Sequence, residues 1–224
     1  MKTRRLVQGV LAALLGAGIV ACSGDDSTAP LMSVDSVGAM SFNLESLGKV
    51  VASYPLAPLS ADETASLAFL REEEQMAQSV YRVSRELWAT PVFRNMSDSE
   101  ATHSAAVKVL LERYQQTDPL AGLSEGAFKT SAFQTLHDSL VASSRLSLVE
   151  ALTVGLEIEE LSLRDIAAQK ENVDNADILK VYDNLFAASR NHLRAFAKTL
   201  VQQGGSYAPR YIPQSEFNAI VNGA

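Results

Sequence analysis

Residues 97–114, SDSEATHSAAVKVLLERY, have the periodicity of an amphipathic helix. Burying a carboxylate or an imidazole is costly unless each has a partner, yet both occur on the face expected to be apolar. A capping box would explain Glu100, because Ser97 stands three residues before it. No such local pattern explains His103. The predicted core-facing stripe consists of Glu100, His103, Val107, Leu110 and Tyr114.

Helical periodicity recurs along most of the chain, whereas alternating strand patterns are scarce. The sequence predicts an all-α domain over 59–217, followed by a tail at 218–224. Short links favour antiparallel pairing of the first helix with the second and of the third with the fourth. The link between the second and third helices is much longer, which predicts an antiparallel four-helix bundle with one crossover. The predicted long helices are 60–88, 97–115, one beginning at Ser147, and 175–203, with a short helix at 131–143 in the crossover.

The N-terminal residues 1–21 have the features of a secretion signal, with a basic start followed by an apolar run too short for a lasting membrane span. The segment IVAC, residues 19–22, resembles the bacterial lipobox, in which the cysteine is acylated and becomes the new N-terminus. This resemblance implies lipidation of Cys22 and a lipid anchor in the cell envelope. Ser23 favours delivery to the outer membrane or another periplasm-facing position, by similarity to lipoprotein sorting. An ordinary signal peptide with a chance cysteine is the alternative.

Charge and cysteine content narrow the classes of partner. The chain carries a net charge of −7, and removal of the three basic residues in 1–21 leaves −10. This charge disfavours nucleic acid and anionic lipid as partners of the folded part. Cys22 is the only cysteine, so disulfides and thiolate metal sites are excluded as well. Residues 22–58 are predicted to be the lipidated cysteine and a flexible tether, since 23–41 is rich in Ser, Asp and Gly without helical periodicity.

Each of the four long helices has residues of metal-binding types on its predicted core face. They are Glu74 on the first helix, Glu100 and His103 on the second, Glu160 on the third and His192 on the fourth. A cation would supply all of these buried groups with a partner at once. Carboxylate oxygen and imidazole nitrogen without sulfur favour iron or manganese, with zinc as a further option.

These residues resemble the metal ligands of the ferritin-like di-iron carboxylate proteins, which use two single Glu residues and two Glu-x-x-His motifs on four helices. The segment EQMAQSVY, residues 74–81, is similar to the Glu-x-x-Ala-x-x-x-Tyr segment of rubrerythrin-type members, and EATH, residues 100–103, fits one Glu-x-x-His pair. Within EIEE, residues 157–160, Glu160 fits the stripe best and Glu157 is a second candidate. The phrases REEEQMAQSVY, IEELSL and SRNHLRAF look like an uncharacterised prokaryotic branch of this superfamily, a domain of unknown function, over about residues 60–217.

The fourth helix departs from the family pattern. Its segment SRNH, residues 189–192, has Ser189 where the family has a glutamate, so only His192 carries over. This departure leaves open whether one or two iron ions bind. The resemblance implies iron oxidation or the reduction of dioxygen or peroxide, which is ferroxidase- or peroxidase-type chemistry. No Cys-x-x-Cys pair is present, so any electron donor would be a separate protein, and assembly into a homodimer is left open.

The candidate ligands also have a metal-free interpretation. Glu74 belongs to the acidic run REEEQ, which is typical of a solvated helix face. His103 and His192 would then pair with carboxylates of neighbouring helices in a buried polar network. Under this hypothesis the chain is a helical envelope lipoprotein that serves as a scaffold or a binding module.

Overall fold

The computed structural model describes residues 29–223, and the predicted signal (1–21) and Cys22 lie outside this range. The described part is mostly helical with one small two-stranded sheet, so the all-α prediction is broadly confirmed. No strand was expected from the sequence. The elements are β1 (Met32–Val34), β2 (Met40–Phe42), α1 (Leu44–Ala52), α2 (Ala61–Leu87), α3 (Pro91–Arg113), α4 (Ser131–Ser144), α5 (Leu148–Lys170), α6 (Ala176–Gln202) and α7 (Gln214–Val221).

Side-chain caps fix the first residues of two long helices where the sequence predicts them. The Ser60 hydroxyl accepts a hydrogen bond from the Glu63 N–H, and the Glu63 carboxylate accepts one from the Ser60 N–H. This reciprocal capping box begins α2. At the start of α5, the Ser147 hydroxyl accepts a hydrogen bond from the Glu150 N–H. Both helices thus begin where a hydroxyl satisfies an otherwise unpaired backbone N–H group.

Helix α3 begins earlier than predicted. Pro91 occupies its first turn, where the missing N–H group of proline costs no helical hydrogen bond. Ser97 therefore lies inside the helix, and its hydroxyl donates to the Gln78 carbonyl oxygen of α2. The capping-box interpretation of Ser97 and Glu100 is wrong, which leaves the Glu100 carboxylate free to face the interior.

The long helices pack most extensively as two pairs, α2 with α3 and α5 with α6. Aromatic packing joins the pairs, because the ring of Tyr81 on α2 lies 5.1 Å from that of Phe196 on α6. A Cβ atom at Gly155 would lie 2.5 Å from the Phe196 ring, so glycine permits the close contact between α5 and α6. The predicted short helix is present as α4, which lies between α3 and α5 in the chain and packs on α2 and α5.

Residues 32–52 are folded, which corrects the predicted tether over 22–58 for this part. Strands β1 and β2 form an antiparallel hairpin, with Val34 opposite Met40. Phe42, Leu47 and Val51 are buried in the core that also receives α2, α3 and α6. Strands this short carry little periodicity, and the Ser- and Gly-rich composition of the segment conceals the few apolar residues that anchor it.

The C-terminal segment is also folded further than predicted. Helix α7 continues to Val221 with Phe217 and Ile220 buried, so the domain does not end at residue 217. The Tyr207 ring packs against Phe217, with the ring centroids 5.7 Å apart. Within residues 29–223, no helix combines the length and the apolar character needed to cross a membrane.

Candidate metal centre

Five carboxylate and imidazole side chains come together between the four long helices. Glu74 comes from α2, Glu100 and His103 from α3, Glu159 from α5 and His192 from α6, and each is at most 3% exposed. Glu100 and His103 share a face of α3 because they are three residues apart. Glu100, His103 and His192 form a buried cluster whose ligand atoms lie within 4.8 Å of one another, and this cluster can hold a metal ion.

The first half of the centre is formed by α2 and α3. The Nδ1 atom of His103 lies 2.8 Å from Oε2 of Glu100 and 3.4 Å from Oε2 of Glu74. The other oxygen of Glu74, Oε1, is buried and has no hydrogen-bond partner among the described residues. We call the side chains of Glu74, Glu100 and His103 half-site 1. Its orphaned carboxylate oxygen is a group that a cation would satisfy.

The second half repeats the first with residues of α5 and α6. The Nδ1 atom of His192 lies 2.8 Å from Oε1 of Glu100 and 3.4 Å from Oε1 of Glu159. Although the first distance is short, Nδ1 of His192 has no hydrogen bond of acceptable alignment in the described part of the chain. We call Glu159, His192 and this oxygen of Glu100 half-site 2. The Glu100 carboxylate thus directs one oxygen at each imidazole and belongs to both half-sites.

The separations of these donor atoms fit ligands of a shared cation. Ligands bound at about 2.0–2.2 Å to one ion lie roughly 2.8–3.6 Å from each other, with the shorter separations in octahedral and the longer in tetrahedral geometry. The four nitrogen–oxygen distances fall between 2.8 and 3.4 Å. Oxygen and nitrogen ligands without sulfur suit iron, manganese or zinc. The donor set and its spacing are therefore compatible with one ion in each half-site.

Burial and mutual repulsion control the protonation of the carboxylates. Burial, together with the negative charge of Glu100, raises the pKa of Glu74 to about 8 despite the nearby His103. Burial also raises the pKa of Glu159, although His192 partly opposes this increase. For Glu100, burial is outweighed by the two imidazoles, which hold its pKa far below the usual value. Glu100 is thus the ionised carboxylate at the middle of the centre.

The imidazoles respond to the same carboxylates. Burial disfavours the charged form of His103, but Glu100 and Glu74 outweigh it and raise the pKa of the ring well above its usual value. Glu159 and Glu100 likewise overcome burial and raise the pKa of His192 to about 9. Without a cation, protons are the positive charges that neutralise the centre. A metal ion would have to displace them.

A second layer of contacts surrounds the imidazoles. The carbonyl oxygen of Met40 in β2 lies 2.6 Å from Nε2 of His103, and the Met40 N–H donates to Nε2 of His192 at 3.0 Å. The Ser99 hydroxyl donates to the same carbonyl oxygen at 2.7 Å. Tyr81 donates to Oε1 of Glu159 at 2.7 Å. Outer contacts of this kind fix the orientation of ligands in metal sites.

The structure does not bring Glu160 to the centre, and Glu159 occupies that place. Successive helical residues point about 100° apart, so a choice between neighbours in EIEE is a choice between two faces of α5. Glu160 is buried elsewhere, where its Oε2 accepts hydrogen bonds from the N–H groups of Arg210 and Tyr211 at 2.7 and 2.9 Å. Glu157 contacts the side chains of the same two residues. Both carboxylates therefore hold the C-terminal segment against α5.

The remaining predicted residues lie where the sequence places them. Glu74, Glu100, His103 and His192 are all in the centre, and Ser189 is buried on α6 before His192. Sequence reasoning missed Glu159, Met40 and Ser99. The run EIEE contains Glu159 as an available alternative to Glu160. Met40 acts through its main chain, which leaves no signal in the identity of its side chain.

A comparison with protein families identifies the relatives of the chain. A family model described as an uncharacterized protein domain, DUF2202, matches residues 63–224. The chain belongs to this family. The match begins within α2, so the hairpin and α1 precede the matched range. All five residues of the two half-sites lie inside it.

A protein of known structure is similar to this chain in both sequence and fold. The chain is 40% identical over 172 residues to the uncharacterized protein MJ0754 of Methanocaldococcus jannaschii, which covers 77% of this chain and 93% of that protein. The crystal structure of hypothetical protein MJ0754 is similar with a TM-score of 0.74, covering 77% of this chain and 98% of the other. The description of the family and the names of these similar proteins state no activity.

Proposed function

We propose that the four long helices form a ferritin-like bundle and that this bundle holds a centre for two metal ions. Glu74, Glu100 and His103 would bind one ion, and Glu159, Glu100 and His192 the other. The observation that carries the proposal is the position of Glu100, whose two oxygens each lie 2.8 Å from a different imidazole nitrogen. The Glu100 carboxylate alone would thus serve both ions, although Ser189 stands where the ferritin-like pattern has its fourth carboxylate.

Iron is the metal that we propose first, with manganese and zinc as the alternatives. Bound iron would supply the one-electron chemistry needed for oxidation of ferrous ion or for reduction of dioxygen or peroxide. The contribution of the chain is to hold the ligands in a dry pocket and to fix their orientation. Tyr81 keeps Glu159 directed at half-site 2 through its hydroxyl. A separate protein would serve as the electron donor.

A metal-free polar network is the second candidate, and one contact favours it. The Nδ1 atom of His103 and Oε2 of Glu100 form an aligned hydrogen bond of 2.8 Å that needs no cation. In that case the chain would be a helical envelope lipoprotein with a scaffolding or binding role. The unpartnered Nδ1 of His192 and Oε1 of Glu74 favour the metal centre instead, because buried polar atoms without partners are costly.

The two candidates differ in their response to ferrous iron. We expect the purified full-length chain, loaded under anaerobic conditions, to bind two ions and to melt at least about 10 °C higher, since each ion at a hundredfold excess over its Kd contributes roughly 2.7 kcal/mol. Iron per chain and thermal melting measure the two effects. Manganese and zinc, tested in parallel, would rank the metals. If neither iron, manganese nor zinc binds, the interpretation as a metal-free polar network is correct.

The same experiment has a defined pH dependence. In the folded chain the pKa of Glu74 is raised from 4.5 to about 8 and that of His103 is raised well above 6.5, so the metal-free protein loses stability as the pH rises from about 4.5 to 8 through Glu74 and from about 6.5 upward through His103. Metal ions replace these protons, so metal affinity should rise over the same window. Melting curves at pH 6, 7 and 8 should therefore show a growing difference between loaded and metal-free protein. A constant difference would contradict the proposed competition.

We also propose that the centre is displayed in the cell envelope, at the outer membrane or facing the periplasm, through a lipid on Cys22. The support is the IVAC segment at residues 19–22 and the basic and apolar residues before it. The only membrane contact proposed is this anchor. Homodimer formation is a further proposal, and nucleic acid is not among the expected partners because of the negative charge.

A further inference from the structure

A cavity of about 500 Å³ lies beside the C-terminal half of α6 and shares no lining residue with the metal centre. Helix α6 ends at Gln202, and the chain turns back through Gly204, whose φ is 75°. Gly205 then packs so closely on Leu200 that a Cβ atom there would collide with it. The segment after α6, together with α7, forms the other wall of the cavity. Its volume is in the range of sites that hold one small molecule.

The walls of this cavity are largely apolar. Leu200 and Phe217 line it as buried residues, and the side chains of Tyr207 and Val221 extend the apolar surface. Val201 also lines the cavity and is 70% exposed, so a ligand bound there would remove its side chain from water. Removal of apolar surface from water is the main force that binds a hydrocarbon chain. The walls therefore favour a ligand with a hydrocarbon portion.

Two positive charges border the apolar walls, and no carboxylate lines the cavity. Arg194 and Lys198 are four residues apart on α6, so their side chains share one face of the helix. Neither forms an ion pair within residues 29–223, and the recorded side-chain partner of Arg194 is the neutral Asn191. The cavity thus complements an anion, although the whole chain has a net charge of −7.

Neighbouring carboxylates do not supply this anion. Glu157 and Glu160 on α5 contact the same C-terminal segment, but both bind groups of Arg210 and Tyr211. Neither lines the cavity. The two cations on α6 are therefore available to a ligand from outside the chain.

We propose that this cavity binds one molecule of a long-chain fatty acid, with the carboxylate at Arg194 and Lys198 and the hydrocarbon chain along Val201 and Phe217. A carboxylate accepts charge-assisted hydrogen bonds from guanidinium and ammonium groups. An inorganic anion would leave the apolar walls uncovered, and a cationic amphiphile would leave both cations unpaired. A concave site of this volume suits a single acyl chain better than a membrane surface. The site is independent of the proposed metal function, so either proposal can fail without the other.

Dodecanoate, kept below its micelle-forming concentration, is the probe, and calorimetric titration of the purified full-length chain measures its affinity. We expect R194Q to weaken binding at least about tenfold, because a hydrogen bond between charged groups is lost. K198Q should weaken it about two- to fivefold, as is usual for an exposed charge. The matched control is K180Q, which makes the same change on α6 outside the cavity and should bind dodecanoate as the wild type does.

A second variant tests the apolar wall. V201E places a negative charge where the hydrocarbon chain would lie, and it should also weaken binding at least about tenfold. Because Val201 is exposed, this variant should fold as the wild type does, so it decides the question if circular dichroism shows that R194Q does not fold.

The charge of the ligand provides the remaining comparison. Dodecyltrimethylammonium has a hydrocarbon chain of the same length and the opposite charge, and it should bind at least about tenfold more weakly than dodecanoate. Equal affinities for the two amphiphiles, or unchanged dodecanoate binding in folded R194Q and V201E, would overturn the proposal. So would a chain that does not bind dodecanoate but is captured by phosphatidylglycerol vesicles less well as R194Q than as the wild type, since the cavity would then be a membrane contact.

Discussion

Replacing Glu100 with glutamine should weaken binding of both metal ions at least about a hundredfold, because the variant removes the only charged ligand that the two half-sites share. Changing any ligand that belongs to one half-site should affect mainly one ion. The E100Q variant keeps the size of the side chain, so the bundle should still fold. Iron per chain, measured after anaerobic loading and gel filtration, reports the loss.

The matched control for E100Q is E112Q on the same helix. Glu112 is exposed near the C-terminal end of α3 and lies outside the centre. This variant should bind two ions and melt as the wild type does. If E100Q also retained two tightly bound ions, Glu100 would not be the bridging ligand and the two half-sites would not exist as described.

The neighbouring variants E159Q and E160Q should have opposite effects. E159Q removes the α5 ligand of half-site 2. It should lower the affinity for the ion in half-site 2 at least about tenfold, with little change in the melting temperature of the metal-free protein. E160Q should leave metal binding unchanged. It should nevertheless destabilise the chain by about 1.5–3 kcal/mol, since two backbone N–H groups lose a charged acceptor. This loss corresponds to a fall of about 3–12 °C in the melting temperature.

Titration with ferrous iron and thermal melting separate these two variants. Each serves as the control for the other, because the substitutions are chemically identical and adjacent in sequence. The reverse result, with metal binding lost in E160Q and kept in E159Q, would show that Glu160 is the α5 ligand, as the sequence pattern predicted. It would also require α5 to be rotated relative to the structure.

The sequence predicts the long helices well because their signals are local. Ser60 and Ser147 mark helix starts through caps that involve only the next three residues. The apolar stripes extend over many helical turns, so one or two exceptional residues do not change which face is predicted to be buried. The same reasoning places Glu74, Glu100, His103 and His192 in the interior, since each interrupts a long stripe. These four side chains come together once the helices pack against one another.

The errors have physical causes that a single sequence conceals. Pro91 begins α3 without a side-chain cap hydrogen bond, whereas Ser97 imitates a start with the spacing of a capping box. Glu159 and Glu160 are both buried, so hydrophobic periodicity cannot distinguish the one beside His192 from the one beside Arg210. The difference depends on where the C-terminal segment crosses α5, which is a long-range contact.

The hairpin shows most clearly what local patterns miss. Strands β1 and β2 are three residues each, and β2 contributes its main-chain groups to the imidazoles. Backbone N–H and carbonyl groups are present at nearly every residue, so the residue type at position 40 does not predict that its main chain contacts the two imidazoles. Only the packing of β2 against α3 and α6 reveals it.

We propose that two ions are held between Glu74 and His103 and between Glu159 and His192, with Glu100 shared. The most direct measurement is anomalous diffraction at the iron absorption edge from crystals of the full chain loaded anaerobically with ferrous iron. We expect two peaks, one in each half-site, on either side of the Glu100 carboxylate. A fully loaded crystal with no peak among these five side chains would contradict it.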